Sequence, residues 1–132
     1  MKPKSHAKQK IIAVDFDGTC VTHEYPEIGR DVGAVPVLKE LAAKGHRLAL
    51  WTMRSGQYLE DAVNWFHKNE IHLSFANINP NQKEWTYSPK FYAHIYIDDA
   101  AVGAPLLLGR EGERPFIWWD EVKRLLEKSG VL

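Results

Sequence analysis

The sequence predicts an α/β domain: one doubly wound, mainly parallel sheet with helices on both faces. Three observations predict it. Short continuous apolar runs, Ile11-Ile12-Ala13-Val14 and His94-Ile95-Tyr96-Ile97, each stop abruptly at acids, as strands buried on both faces do. Longer stretches carry apolar residues at helical spacing between such runs. Strand and helix signals alternate along the chain, which is the pattern of parallel sheets built from βαβ units.

The elements follow in order. Residues 11–14 read as the first strand. Residues 33–44 read as a helix with Val35, Leu38, Leu41 and Ala42 on one side; Pro36 falls in its tolerant first turn and Gly45 stops it. Arg47-Leu48-Ala49-Leu50-Trp51 reads as the second strand. Gln57 to Lys68 is an amphipathic helix with Leu59, Val63 and Phe66 on one side. Ile71 to Ala76 reads as a third strand, and the Asn-, Pro- and Lys-rich residues 77–90 as a loop. His94 to Ile97 is the late strand. Residues 119–128, with Trp119, Val122, Leu125 and Leu126, form a closing helix introduced by Trp118.

The chain of 132 residues is the length of one domain. Residues 1–10, with Lys2, Lys4, Lys8 and Lys10, are expected to be a flexible basic tail, and residues 11–132 the folded domain. Lys and Arg number 17, as do Asp and Glu, so the net charge is zero and no global field draws the chain to nucleic acid. The single cysteine, Cys20, excludes an internal disulfide framework and reads as a small buried hydrophobe. No apolar run is long enough to span a bilayer, and no apolar signal core follows the basic tail. The expectation is a cytoplasmic protein with no membrane partner.

In parallel sheets ligands bind outside the carboxyl ends of the strands. Asp15 and Asp17 end the first strand, Thr52 and Arg54 the second, Asp98 and Asp99 the late one. Four carboxylates in a small volume cannot all stay ionised without compensation. A hard divalent cation supplies it, and oxygen-only ligands select Mg²⁺. Mg²⁺ held by a few carboxylates commonly completes its shell with substrate phosphate, so a phosphorylated ligand is implied.

Asp15-Phe16-Asp17-Gly18-Thr19 resembles the first motif of the haloacid dehalogenase (HAD) superfamily of phosphatases. Thr52 after an apolar strand resembles its second motif, and Lys90 followed by Ile97-Asp98-Asp99 its third and fourth. The resemblance covers roughly residues 11–100 and implies a HAD-like, Rossmannoid hydrolase domain. It implies that Asp15 attacks phosphorus to form an aspartyl-phosphate and that Asp17 protonates the leaving group and then activates water. It implies that Thr52 hydrogen-bonds the phosphoryl oxygens and that Lys90 neutralises charge, with Lys83 as a rival farther from the acid-bearing strand. The implied metal set is Asp15, Asp17 through its carbonyl, Asp98 and Asp99, with Asp99 the direct ligand and Asp98 beside it or behind it. Gly18, at the turn after the strand, and Arg54, with a fork suited to phosphate, are the expected substrate contacts; a surface salt bridge is the alternative for Arg54.

Family members with large caps insert them after the first motif or before the late lysine. Residues 20–32 and 77–89 are too short for that, so the chain resembles the capless class. A hairpin flap around Tyr25, Pro26 and Ile28, with His23 and Glu24 near the entrance, is the most that 20–32 can form. Water exclusion then falls to a bulky substrate or to a second copy of the chain covering the site. The aromatics Trp85, Tyr87, Phe91 and Tyr92 read mainly as structural, with stacking on a base as the alternative. The expected function is an Mg²⁺-dependent phosphohydrolase acting on a phosphomonoester, small molecule or macromolecular end. A phosphate- or protein-binding module on the same fold and a polynucleotide-end phosphatase are the alternatives.

Overall fold

The computed structural model describes residues 8–132. Residues 1–7 of the expected tail lie outside the described residues. Its last two residues are tied down: Gln9 Nε2 donates to the Gly45 carbonyl and the Lys10 amide to His46 Nδ1.

Four strands, β1 (Ile11–Val14), β2 (Arg47–Leu50), β3 (Phe75–Ala76) and β4 (Ile95–Ile97), form one parallel sheet in the order β3-β2-β1-β4. Helix α1 (Ala34–Ala43) connects β1 to β2, and α2 (Gly56–Lys68) connects β2 to β3; α3 (Trp119–Lys128) closes the chain against α1. Both early crossovers run outward from β1 to one side, and β4 lies on the other side, so the winding reverses between β1 and β4.

Strand alternation decides which residues face which layer. Ile12, Val14, Leu48, Leu50 and Ile97 belong to one core with the buried residues of all three helices, among them Leu38, Leu41, Phe66, Val122 and Leu126. The intervening Ala13, Ala49 and Phe75 face the opposite way, against Phe91, Ala93 and the half-buried Trp51. Helices on both faces were expected. Among the described residues the second face is instead covered by the segment between β3 and β4, whose regular structure is one 3-10 turn at Gln82–Glu84. Small residues on that face, Ala13 and Ala49, let this thin cover sit close.

Each helix ends in the same way. After α1 the amides of Gly45 and His46 return to the carbonyls of Ala42 and Leu41; after α2 Glu70 and Ile71 return to His67 and Phe66; after α3 Gly130 and Val131 return to Glu127 and Leu126. This is the Schellman arrangement, whose penultimate residue takes a left-handed conformation. The outermost residues His46, Ile71 and Val131 are all buried. Ile71 is therefore apolar because it plugs a helix end, and the third strand shrinks from the expected 71–76 to Phe75–Ala76. A second, antiparallel pair, β5 (Leu106–Leu107) with β6 (Phe116–Ile117), was not anticipated. It reaches the first motif through the Ile117 amide, which donates to the Gly18 carbonyl.

Two helices use glycine at the left-handed position; α2 uses Glu70 at φ 60. A side chain there is strained by about 1 kcal/mol. Glu70→Gly is expected to raise stability by roughly 0.5–1 kcal/mol in urea denaturation, despite the added freedom of the unfolded chain.

Candidate functional site

Main-chain bonds hold Asp15 at the sheet edge. Its amide donates to the Ile97 carbonyl, while the Trp51 amide donates to the Val14 carbonyl, so Asp15 emerges between the ends of β2 and β4. The chain then turns tightly, with the amides of Thr19 and Cys20 both returning to the Phe16 carbonyl. Asp98 and Asp99 leave the neighbouring β4. Carboxylate oxygens of Asp15, Asp98 and Asp99 lie within 4.8 Å of one another.

The buried Thr19 hydroxyl joins this group. Its oxygen lies 3.0 Å from Asp15 Oδ2 and 3.2 Å from Asp99 Oδ1, and it accepts the Asp99 amide at 3.1 Å. A hydroxyl has one hydrogen, so it donates to only one of the two carboxylates at a time. Burial, the charge of Asp98 and the hydrogen bond with Asp99 push the Asp15 carboxyl up to about 8, against the pull of the Phe16 amide and the Thr19 hydroxyl. No Lys or Arg among the described residues forms a salt bridge with any of the three acids. Three hard oxygen donors with uncompensated charge fit a divalent cation such as Mg²⁺, and do not fit a metal that needs thiolate.

The fourth acid is elsewhere in electrostatic terms. Asp17 Oδ1 and Oδ2 each accept a bond of 2.8 Å from Arg54, through Nη2 and Nε. The other Arg54 hydrogens go to the carbonyls of Pro26, Tyr58 and Glu27. The guanidinium lies 5.0 Å from the Phe16 ring centroid and 5.1 Å from that of Tyr25. Arg54 is 2% exposed and has no N–H left for a phosphate. The expected substrate contact is thus corrected to a clasp, and the alternative of a surface salt bridge to a buried one. The Asp17 carboxylate, expected to protonate the leaving group, is held by this clasp.

Gly18, an expected substrate contact, lies against side chains of the protein itself. At φ +83 it would place a Cβ 2.0 Å from His23 Nε2 and 2.5 Å from Asp99 Oδ2. The missing side chain makes room for a hydrogen bond of 3.0 Å between those two atoms. His23 is therefore part of the site itself. Its signal in the sequence was only proximity to the first motif, because its partner lies 76 positions away.

Thr52 stands at the end of β2, its amide bonded to Asn77 Oδ1 and its hydroxyl oxygen accepting the Arg54 amide. Its hydroxyl hydrogen has no acceptor among the described residues. Lys90 forms no salt bridge with Asp15 among the described residues, and its Nζ lies 5.5 Å from the Tyr96 ring centroid, on the loop-covered face. Lys83 is exposed and makes no ion pair among the described residues. Phe91 belongs to the second core and packs on Trp51, whereas Trp85 meets Tyr92 edge-on and Tyr87 is exposed. Cys20 is fully buried, and that burial pushes its thiol well up, away from nucleophilic chemistry. No described helix is long and apolar enough to cross a membrane.

No protein-family model matches the chain, and no curated protein matches it. Among solved structures, a conserved protein from Bacteroides thetaiotaomicron is similar, with a TM-score of 0.75 and 33% identity over 92% of this chain and 93% of that one.

Two substitutions test the electrostatics. Between its ordinary value of 3.8 and about 8, Asp15 is protonated in the fold and ionised in the unfolded chain. The folded state then binds the extra proton, so stability falls as pH rises through that window when no cation is present. In chelator at pH 8, Asp15→Asn is expected to melt about 5 °C or more above wild type, the gap closing towards pH 4. A gap independent of pH would sink the assignment. Arg54→Met removes every partner of the clasp and strands a largely buried carboxylate at Asp17. Denaturant titration is expected to show a loss of about 3 kcal/mol or more.

Proposed function

The chain belongs to one family with the conserved Bacteroides thetaiotaomicron protein, and from its own residues we propose that it is an Mg²⁺-dependent phosphohydrolase with Asp15 as nucleophile. The observation that carries this is the triad of carboxylates from Asp15, Asp98 and Asp99, gathered within 4.8 Å at the ends of two adjacent strands. The winding reversal falls between those strands, which is where open α/β sheets bind ligands. We read the β3-β2-β1-β4 order as that of a doubly wound, HAD-like sheet in which the segment between β3 and β4 replaces the second helix layer.

The chemistry assigned to each residue follows. Asp15 attacks phosphorus, forming the acyl–phosphate bond as the bond to the leaving oxygen breaks. Water then cleaves the aspartyl-phosphate, releasing phosphate and restoring Asp15. Asp15, Asp98 and Asp99, with the Asp17 carbonyl, would hold a divalent cation, which would supply Lewis-acid stabilisation of the phosphoryl charge. Thr52 has a free hydroxyl hydrogen and donates it to a phosphoryl oxygen. Lys90 lies over Tyr96 and pairs with none of the three acids, so it does not neutralise Asp15 from where it stands. Asp17 delivers the proton to the leaving group only once its carboxylate comes away from Arg54, because both of its oxygens are taken up by Arg54 N–H groups in that bidentate pair.

Turnover of p-nitrophenyl phosphate with Mg²⁺, abolished by chelation and restored by the metal, is the expected outcome. Asp15→Asn should lower it about a thousandfold or more; turnover that survives the substitution defeats the nucleophile assignment. For Asp17→Asn the leaving group discriminates. On an alkyl phosphate, whose leaving oxygen needs a proton, the loss should be about a hundredfold. On p-nitrophenyl phosphate, whose leaving group departs unaided, it should be far smaller. Equal losses on both would assign the Asp17 carboxylate to the scaffold alone.

A further inference from the structure

Asp99 meets two groups from the loop that follows β1. Its Oδ1 and its amide both touch the Thr19 hydroxyl, and its Oδ2 lies 3.0 Å from His23 Nε2. We assign the hydrogen of this contact to Nε2, the tautomer in which the ring donates to the carboxylate oxygen. Both side chains are largely shielded, at 14% and 12% exposure. The contact has been given its space: only glycine fits at position 18, because any Cβ there would strike both Nε2 and Oδ2.

His23 is also delivered to this spot by a rigid support. On one side of it, the Thr22 amide donates to the Arg30 carbonyl while the Thr22 hydroxyl accepts the Arg30 amide. On the other side, Arg54 grips the carbonyls of Pro26 and Glu27. A surface histidine that met Asp99 by chance would need neither the vacancy at Gly18 nor a loop clamped at both ends.

We propose that His23 is a positioning residue for the cation site: by donating to Oδ2 of Asp99 it fixes that carboxylate with Oδ1 on Thr19, beside Asp15. This rests on the cation reading above. A carboxylate free to rotate would have to be ordered when the ion binds, and outer partners that orient ligands are typically worth about 10–100-fold in metal affinity.

The test is Mn²⁺ affinity of the full chain, read by electron paramagnetic resonance of free against bound ion. His23→Leu removes the donor and is expected to weaken binding about 10–100-fold. His23→Gln sets an amide N–H where Nε2 stands and is expected to stay within about threefold of wild type. His23→Asn is polar but too short to reach Asp99, and should bind as weakly as the leucine variant; it serves where leucine impairs folding. Equal affinity across all variants overturns the proposal, and so does a glutamine variant as weak as leucine. A wild-type chain that binds no Mn²⁺ overturns the cation site itself, and the positioning role with it.

Discussion

Arg54 carries five N–H groups and the protein uses all of them: two on Asp17 and one each on the carbonyls of Pro26, Glu27 and Tyr58. Taking a guanidinium out of water costs several kcal/mol, and attraction to one carboxylate repays that only when the geometry is good and the remaining donors are satisfied. Here both conditions hold, and the rings of Phe16 and Tyr25 flank the cation. The outcome is a fastening of three segments, the turn after β1 and the loop around residue 26 to the first turn of α2, which lies 27 or more positions further on. Remove the guanidinium and each loses its anchor at once.

This fastening divides the acids unequally. Asp17 receives a full counter-charge from Arg54. Asp15, Asp98 and Asp99 receive none from Arg or Lys, and the single hydrogen of Thr19 cannot serve both Asp15 and Asp99. The strain of that arrangement is felt at Asp15, whose carboxyl burial and its neighbours push up to about 8. Evenly scattered, four acids would describe a solvated rim. Sorted as one held by arginine and three with neither arginine nor lysine, they set Asp17 apart from a cluster that could hold a cation, and perturbed carboxyls of this kind are what functional sites concentrate.

What the sequence reveals and conceals follows from the range of the interactions. Strand ends were legible because an apolar run stopped by acids is a local pattern, and Asp15, Thr52 and Asp98-Asp99 fell where the sheet needs them. Gly45 was legible as a helix stop for the same reason. Arg54 was misread because nothing beside it in sequence shows that its partners are residues 17, 26 and 27. His23 was noticed for its position, but its bond to Asp99 needs the register of β1 against β4. Lys90 matched a motif by spacing along the chain, yet spacing does not say that its ammonium lies over the Tyr96 ring rather than on an acid. Ile71 looked like the start of a strand because a buried helix plug and a buried strand are equally apolar. The two-residue strands β5 and β6 are too short to show any alternation.

The clasp also decides how the site is walled. A lid must open, and opening the loop at residues 24–28 would strip Arg54 of the Pro26 and Glu27 carbonyls. Each buried donor left unpaired costs about 1–3 kcal/mol. The same movement would withdraw His23 from Asp99, since Pro26 and Glu27 lie only a few residues beyond it. The loop is thus a fixed wall on the Asp17 side of the site. Beyond Thr52 the situation is reversed: Met53 is 97% exposed and Ile78, just past β3, is 72% exposed. Among the described residues nothing comparable to the clasp covers that rim, so the approach to Asp15 is more open on the β2 and β3 side, past the Thr52 hydroxyl, than on the Asp17 side.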